Sequence, residues 1–138
     1  MNSALILQIN VFCAVFMTGL IWLVQLVHYP SFRFVDAEHF SSFQKFHSNT
    51  ITFIVGPVMM TELVTAAWLL YYSYSFVTIL NLASVVTLFI LTAVFSVPLH
   101  TKLSSAKDEQ TIRLLILTNW PRTIMWTLRA LLLMCYIY

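Results

Sequence analysis

The amino-acid sequence predicts an all-α membrane protein, an antiparallel bundle of four transmembrane helices with an interfacial amphipathic helix between the first and second spans. The first observation is composition, because 60% of the 138 residues are hydrophobic and only 9% are charged. The second is pattern, because four apolar runs reach the roughly 20 residues that cross a bilayer as a helix. The linkers are too short for another domain, so residues 1–138 are predicted to form a single domain. The runs lie at about residues 5–27, 50–72, 76–99 and 121–138.

The lysine and arginine residues predict the orientation. Two lie in or beside the first loop and four in or beside the third, namely Arg33, Lys45, Lys102, Lys107, Arg113 and Arg122. The N-terminus, the Tyr71–Ser75 turn and the C-terminus carry no lysine or arginine. Because these residues are enriched in cytoplasmic loops, both larger loops are expected to be cytoplasmic and both termini outside, in a plasma (inner) membrane.

Net charge and glycine content limit the expected partners. A net charge of +2 is too small to favour a nucleic acid, so the expected partners are the lipid bilayer and a lipophilic small molecule. The two glycines, Gly19 and Gly56, form no Gly-x-x-x-Gly motif of the kind that marks a helix-dimer face. Association into an oligomer through lipid-facing surfaces stays open.

Prolines and polar residues predict where the first helices begin, bend and end. Pro30 should stop or bend the first span as it leaves the bilayer, because proline lacks a backbone donor. Residues 31–49 are predicted to form an amphipathic helix, with Asp36 as its N-cap, that either lies at the interface or runs straight into the second span. Gly56-Pro57 predicts a kink in that span. The 71–75 stretch predicts a tight turn into the third span.

The connection between the third and fourth spans is predicted to contain a further short helix. Pro98 lies near the end of the third span, and Asp108–Thr118 has the apolar spacing of a brief amphipathic helix. Asn119 would then cap a separate fourth helix, with Pro121 tolerated in its first turn.

Two charged residues inside the apolar runs are expected to pair. Glu62 lies about 18 Å along the second span from Thr50, and Arg129 lies about 12 Å along the fourth from Pro121, at about 1.5 Å per residue. Either charge alone would be costly in a bilayer. We therefore predict a Glu62–Arg129 ion pair. It would either lock two helices together or line a cavity, where Arg129 would anchor an anionic or carbonyl-bearing ligand or Glu62 would move a proton.

Three histidines are expected at the cytoplasmic ends of three spans. His28 ends the first span, His47 opens the second and His100 ends the third. Imidazoles with carboxylates nearby match the ligands of iron, copper, zinc or haem, although no two form a compact motif such as His-Glu-x-x-His. One hypothesis is therefore a transition-metal or haem site, and the other is a set of hydrogen-bonded interfacial histidines.

Polar and aromatic residues on the first and last spans are candidates for contact with a substrate. Asn119, Arg122 and Trp126 recur at helical spacing, so they share one face. Gln25 lies about one turn inside the interface and should face other helices rather than lipid. Catalytic roles are predicted for Arg122, Arg129 and Glu62, with the two arginines holding the oxygen functions of the substrate. Substrate contacts are predicted at Trp22, Gln25, Asn119 and Trp126.

Two segments resemble a known family. Ser96-Val-Pro98-Leu-His100-Thr-Lys-Leu103 ends the third span, and Asn119-Trp120-Pro121-Arg122-Thr-Ile-Met-Trp126-Thr-Leu-Arg129 begins the fourth. Together with the size and the four-span plan, they resemble the anthrone-oxygenase-like family of small four-span membrane proteins. The resemblance implies a cofactor-poor or metal-assisted oxygenase that acts on a lipophilic aromatic substrate.

The sequence thus leads to two functional hypotheses. The first is a membrane-embedded oxidoreductase or oxygenase-like enzyme that acts on a lipophilic substrate in a cavity between the spans. Its histidines would bind a redox metal or haem, or work as acid and base. The second is a non-enzymatic four-helix module, such as a small transporter, a haem- or quinone-binding subunit or an assembly subunit, in which the Glu62–Arg129 pair is structural.

Overall fold

A computed structural model of the chain describes residues 3–137, and within that range every regular element is helical. Four long helical segments follow one another, which we number α1 (Ser3–Phe34), α2 (Ala37–Tyr72), α3 (Phe76–Leu103) and α4 (Glu109–Ile137). The first three are long and apolar enough to cross a membrane. This confirms the helical class and shows three helices that suit a membrane protein by their length and composition.

Each helix packs against the next one in sequence, and α4 packs back against α1. Neighbouring helices run antiparallel, because early residues of one contact late residues of the other. On α1 and α2, Asn10 bonds to Thr65 while His28 bonds to His47. The four helices therefore enclose an interior that all of them line.

Pro30 and Pro98 do not end their helices, so the predicted stop at Pro30 is wrong, while the alternative bend stays a prediction. Each proline follows a π-helical turn by two residues, at Val24–His28 in α1 and Thr92–Ser96 in α3. In these wider turns the next backbone N–H donates to the carbonyl five residues back, as Tyr29 does to Val24. The extra width accommodates a proline ring that would clash in a regular turn.

The segment that was predicted to be amphipathic runs straight into the second apolar run, the latter of the two alternatives. α2 continues without a break from Ala37 through Pro57 to Tyr72. Asp36 does occupy the N-cap position with an extended backbone, but its side chain makes no capping hydrogen bond. The polar first turns and the apolar residues that follow them therefore belong to one continuous helix.

The last helix differs from the prediction of two helices divided at Asn119. α4 is continuous from Glu109 to Ile137, with Pro121 inside it. Asn119 is buried and bonds to Gln25 on α1 instead of capping a helix. Gln25 also donates to the carbonyl of Ile116, in the turn that the proline weakens, at 3.1 Å. These cross-helix bonds offset part of the cost of an internal proline, roughly 3 kcal/mol.

The true start of α4 is held by Asp108. Its carboxylate accepts hydrogen bonds from the Thr111 hydroxyl and the Gln110 backbone N–H, and it pairs with Lys102 at 3.0 Å. The Thr111 bond, followed by that of Lys102, lowers the pKa of Asp108 to about 2. This carboxylate therefore stabilises the fold fully above its ordinary pKa, and that contribution is lost as the pH falls through about 2.

Candidate functional site

Five buried side chains from all four helices form a hydrogen-bonded cluster, which we call the polar clasp: Asn10, Glu62, Asn81, Trp126 and Arg129. The predicted ion pair is present, because an Arg129 terminal nitrogen bonds to Glu62 Oε1. The Arg129 Nε donates to Asn81 Oδ1 at 2.8 Å, and its other terminal nitrogen donates to Asn10 Oδ1 at 3.1 Å. Trp126 Nε1 donates to the second oxygen of Glu62 at 3.3 Å.

The polar clasp is electrically balanced and closed. Glu62 is 1% exposed and Arg129 is 2% exposed. Every buried side-chain nitrogen and oxygen of the clasp has a partner within residues 3–137. A bilayer penalises any charge or polar group left unpaired, so this arrangement joins the four helices without leaving a free group for a ligand.

The three predicted histidines do come together, at the opposite end of the helices from the N-terminus. His28 Nε2 and His47 Nδ1 share a hydrogen bond of 2.7 Å, and the rings of His47 and His100 are 5.3 Å apart at their centroids. His47 is buried, whereas His28 and His100 are partly exposed. We call these three residues the histidine rim.

The histidine rim does not have the geometry of a metal site as it stands. Within residues 3–137, no group of three or more histidine, cysteine, aspartate or glutamate side chains is placed to hold a metal ion. The His28–His47 hydrogen bond occupies one nitrogen of each of these two rings. We therefore derive no chemistry through a metal here, and the metal or haem site stays a prediction from sequence.

His100 instead connects two hydrogen-bonding residues that the sequence did not single out as a site. Its Nδ1 lies 2.6 Å from the side-chain nitrogen of Gln44, and its Nε2 lies 3.0 Å from the Tyr29 hydroxyl. An amide NH₂ can only donate, so Nδ1 accepts and Nε2 carries the ring proton. In this arrangement His100 donates to the Tyr29 oxygen, and the Tyr29 O–H is left to bond elsewhere.

Beside the hydrogen-bonded chain of Gln44, His100 and Tyr29 lies a cavity of about 330 Å³ that is partly open to the protein surface. It is bounded by α1, by the first half of α2, by the end of α3 and by Arg122 of α4, and both Gly56 on α2 and the wide turn on α3 contribute to its lining. Tyr29 bonds to both His100 and Arg122, and we call these three lining residues the polar end. The lining also includes six hydroxyl residues: Ser48, Thr52, Thr92, Ser96, Thr101 and Ser104. Much of the remaining wall is aliphatic, with Met17, Leu20, Ile21, Val24, Ile51 and Val55.

Arg122 is held at the cavity wall by neutral groups. One terminal nitrogen donates to the Ser96 hydroxyl at 2.7 Å and to Asn119 Oδ1 at 2.9 Å. The guanidinium carbon lies 5.3 Å from the centre of the Trp126 ring, which is a cation–π distance. The Tyr29 side chain is also adjacent to it. Arg122 thus connects the histidine rim to the polar clasp.

The four residues predicted to contact a substrate are not among those that line this cavity. Gln25 accepts from Asn119 at 2.9 Å, and Trp126 belongs to the polar clasp. Trp22 donates to Thr127 at 3.0 Å and packs edge-on against Trp120. These side chains position α1 against α4, and through Asn119 they position Arg122. Of the residues predicted to touch a substrate or a metal, Arg122 and His100 line the cavity.

Buried polar atoms without a partner concentrate at this end of the protein. Within residues 3–137 they are Gln44 Oε1, His47 Nε2 and Arg122 Nε. Native proteins leave few such atoms, and each one calls for an explanation. Their clustering around the histidine rim and the cavity identifies this region, and not the closed polar clasp, as the candidate functional site.

Comparison with protein-family models, with curated proteins and with solved structures gives no match for this chain. The functional argument therefore rests on the geometry of the cavity and of the histidine rim.

Proposed function

We propose that the chain crosses the membrane four times, with α4 as the fourth span, and that both termini lie outside. α4 is 29 residues long. Ile124, Leu128 and Leu131 form an exposed apolar face on it, while Arg122 and Arg129 point inward. Such a face suits lipid, and the inward arginines remove the main objection to burial in a bilayer. The basic loops between α1 and α2 and between α3 and α4 are then cytoplasmic.

This topology is tested with single cysteines in a Cys13→Ala, Cys135→Ser background. Tyr74→Cys places a thiol in the exposed α2–α3 turn, and Ser105→Cys places one in the exposed α3–α4 loop. A membrane-impermeant maleimide should label Tyr74→Cys in intact cells and should label Ser105→Cys only after the membrane is opened. The opposite pattern would reverse the orientation, and labelling of both in intact cells would exclude four spans.

The function that the geometry supports best is a membrane-embedded enzyme that acts on an oxygen function of a lipophilic molecule in the cavity. The single observation that carries this proposal is the cavity, whose lining combines aliphatic side chains with the connected polar group of Tyr29, His100 and Arg122. Ligand sites are typically apolar hollows of about 300 to 1,000 Å³ with a few convergent polar groups. The lateral position between helices suits a molecule that arrives from the bilayer.

The reaction class we propose is oxidoreductase- or oxygenase-like, with Tyr29 as the proton carrier. Tyr29 lines the cavity, and His100, held by Gln44, can return a proton to the Tyr29 oxygen. Oxidation or reduction at an oxygen function moves protons together with electrons, and a positioned acid–base pair supplies the proton step. Tyr29 and His100 account only for the proton step, and the electrons would pass to or from a separate redox partner such as a quinone or a redox metal.

A metal or haem at the histidine rim stays a prediction from the sequence, and no step is assigned to it. Metal analysis and a visible spectrum of the purified protein check whether such a group is present. Stoichiometric iron or copper, or a Soret band, that disappears in His47→Ala would support a redox group at the rim, whereas zinc would not, because it is redox-inert. A metal-free, colourless protein would leave the redox partner to a separate molecule.

The proposed binding site is tested with a photoactivatable decanol, a lipophilic probe that carries a diazirine group. After irradiation in membranes, peptide mass spectrometry should find adducts on cavity residues such as Met17, Ile51 and Met59. Adducts confined to lipid-facing residues such as Phe12 and Phe53 would contradict the proposal, since both side chains are exposed on the outer surface.

Two glycines provide a matched pair of variants for this experiment. A Cβ at Gly56 or at Gly19 would meet no atom within 4 Å, so both helices accept a larger side chain. Gly56 lines the cavity and Gly19 does not. Gly56→Leu should abolish labelling of the cavity, whereas Gly19→Leu should leave it unchanged.

The second candidate is the non-enzymatic four-helix module. The polar clasp favours it, because Glu62 and Arg129 are fully engaged with each other and with Asn10 and Asn81. In that case the cavity would hold its molecule unchanged, which a comparison of bound compounds in wild type and a Tyr29 variant distinguishes.

A further inference from the structure

We propose that the ligand of the cavity is an anion, and that Arg122 binds its negatively charged oxygen. This inference rests on the proposed function and narrows it to one chemical class, a lipophilic carboxylate or similar oxyanion. It follows from the contrast between two arginines of α4 that lie seven positions apart.

Arg129 is buried with a counter-ion, whereas Arg122 is buried without one. Arg122 is 5% exposed, and its hydrogen-bond partners are the neutral side chains of Ser96, Asn119 and Tyr29. The ion pairs found within residues 3–137 join other residues: Lys102 with Asp108, Lys107 with Glu109, and Arg129 with Glu62. An arginine stays charged at any physiological pH, so the positive charge at Arg122 lacks an anionic partner within these residues.

No carboxylate of the chain is left to serve Arg122. The sequence has five acidic residues, and three of them are in the pairs just named. The other two, Asp36 and Glu38, are exposed at the start of α2, outside the interior that the four helices enclose. A buried charge without a partner is strongly unfavourable, and one within a membrane protein marks a site for an ion or a substrate.

The Arg122 side chain reaches the cavity where such a ligand would bind. Arg122 forms part of the cavity wall, and its buried Nε has no hydrogen-bond partner, so its donors are not all used within the protein. A guanidinium presents parallel N–H donors, which match the two oxygens of a carboxylate. The Tyr29 hydroxyl at the same end of the cavity can donate a further hydrogen bond to that group.

The rest of the cavity determines what is attached to the charge. Beyond the polar end, the aliphatic side chains of Met17, Ile21, Ile51 and Val55 favour an apolar chain or ring. The ligand is therefore an amphiphile with one anionic head group and an apolar body. Membrane-derived fatty acids and free lipophilic acids share this chemistry.

The test compares decanoate with methyl decanoate, which has the same chain but no charge. The protein is placed in phosphatidylcholine nanodiscs, and native mass spectrometry measures how much of each compound is bound. Wild type should bind decanoate at least about tenfold more tightly than the ester, and Arg122→Gln should remove that preference while still binding the ester. Arg113→Gln is the matched control, because Arg113 is an exposed arginine on the same helix and should leave the preference intact.

Each outcome decides a separate point. Equal binding of decanoate and methyl decanoate by wild type would overturn the anionic ligand while the lipophilic site remained. No binding of either compound, or binding that Gly56→Leu does not reduce, would overturn the proposed site as well. If Arg122→Gln fails to fold, Arg122→Lys retains the charge and should keep the preference for decanoate; its loss in a folded Arg122→Lys protein would locate the preference elsewhere. Extraction of the native ligand then separates a membrane-derived fatty acid from another lipophilic acid.

Discussion

Glu62→Gln and Arg129→Gln, made singly, should each destabilise the protein by roughly 3 to 5 kcal/mol, the largest stability effects expected in this chain. Each change leaves one buried charge facing a neutral amide. Loss of Arg129 would also remove the hydrogen bonds that it donates to Asn10 and Asn81, and the Asn10 oxygen would keep only its bond from Asn81. Unfolding in mixed detergent micelles, followed by circular dichroism, measures the loss.

The double variant separates a specific pair from general sensitivity of the interior. With both charges removed, no unpaired charge remains, so the double variant should be clearly more stable than the sum of the two single losses implies. Glu109→Gln is the control, because it breaks a surface pair with Lys107 and should cost less than about 1 kcal/mol. Single variants as stable as wild type would show that the polar clasp does not hold the helices together.

Tyr29→Phe should reduce turnover of the cavity-bound molecule by roughly 100-fold or more, within the range of a lost acid–base group. The variant removes only the hydroxyl that bonds to His100 and keeps the ring that packs on Phe32. Folding should therefore be retained. Lipophilic compounds extracted from purified wild type and from the variant are compared by mass spectrometry, and the variant should accumulate the substrate at the expense of the product.

Tyr71→Phe is the control for this comparison, because Tyr71 is 80% exposed and lies at the far turn between α2 and α3. Its extract should match that of wild type. An identical bound compound in wild type, Tyr29→Phe and Tyr71→Phe would contradict the enzyme and favour the non-enzymatic module.

The sequence correctly predicted contacts between residues whose depth along a helix follows from counting residues from the end of an apolar run. A helix rises regularly, so counting residues from the ends of the apolar runs placed Glu62 opposite Arg129, as the structure confirms. The same reasoning brought His28, His47 and His100 to one level, where they do lie close together. Both results needed only helix geometry and the cost of burying charge.

The contacts that the sequence did not predict depend on how each helix is rotated about its axis and on departures from regular helix geometry. Asn10 lies in an apolar run, and the position of its amide at the depth of Arg129 was a signal that could have identified it. Gln44 was hidden among polar residues of a segment expected at the interface. Asn119 is a residue type that often caps helices, and it lies two positions before Pro121. In the structure it is instead buried inside α4 and bonds to Gln25.

The cavity could not be predicted from periodicity at all. It borders a π-helical turn at Thr92–Ser96, which changes the direction of the side chains that follow and which no residue pattern specified. The same holds for Val24–His28, which turns Tyr29 toward His100. The sequence predicted that both Arg122 and Arg129 hold the substrate, and only the structure separates the two, because it gives Arg122 neutral partners and Arg129 a counter-ion.

The central claim is that a lipophilic molecule binds between α1, α2 and α3 at the polar end formed by Tyr29, His100 and Arg122. Mapping the photoactivatable decanol in membranes tests it most directly. Adducts on Met17, Ile51 and Met59 in wild type and in Gly19→Leu, and their loss in Gly56→Leu, are the predicted result. Adducts confined to outward-facing residues, with the same distribution in all three proteins, would contradict the account.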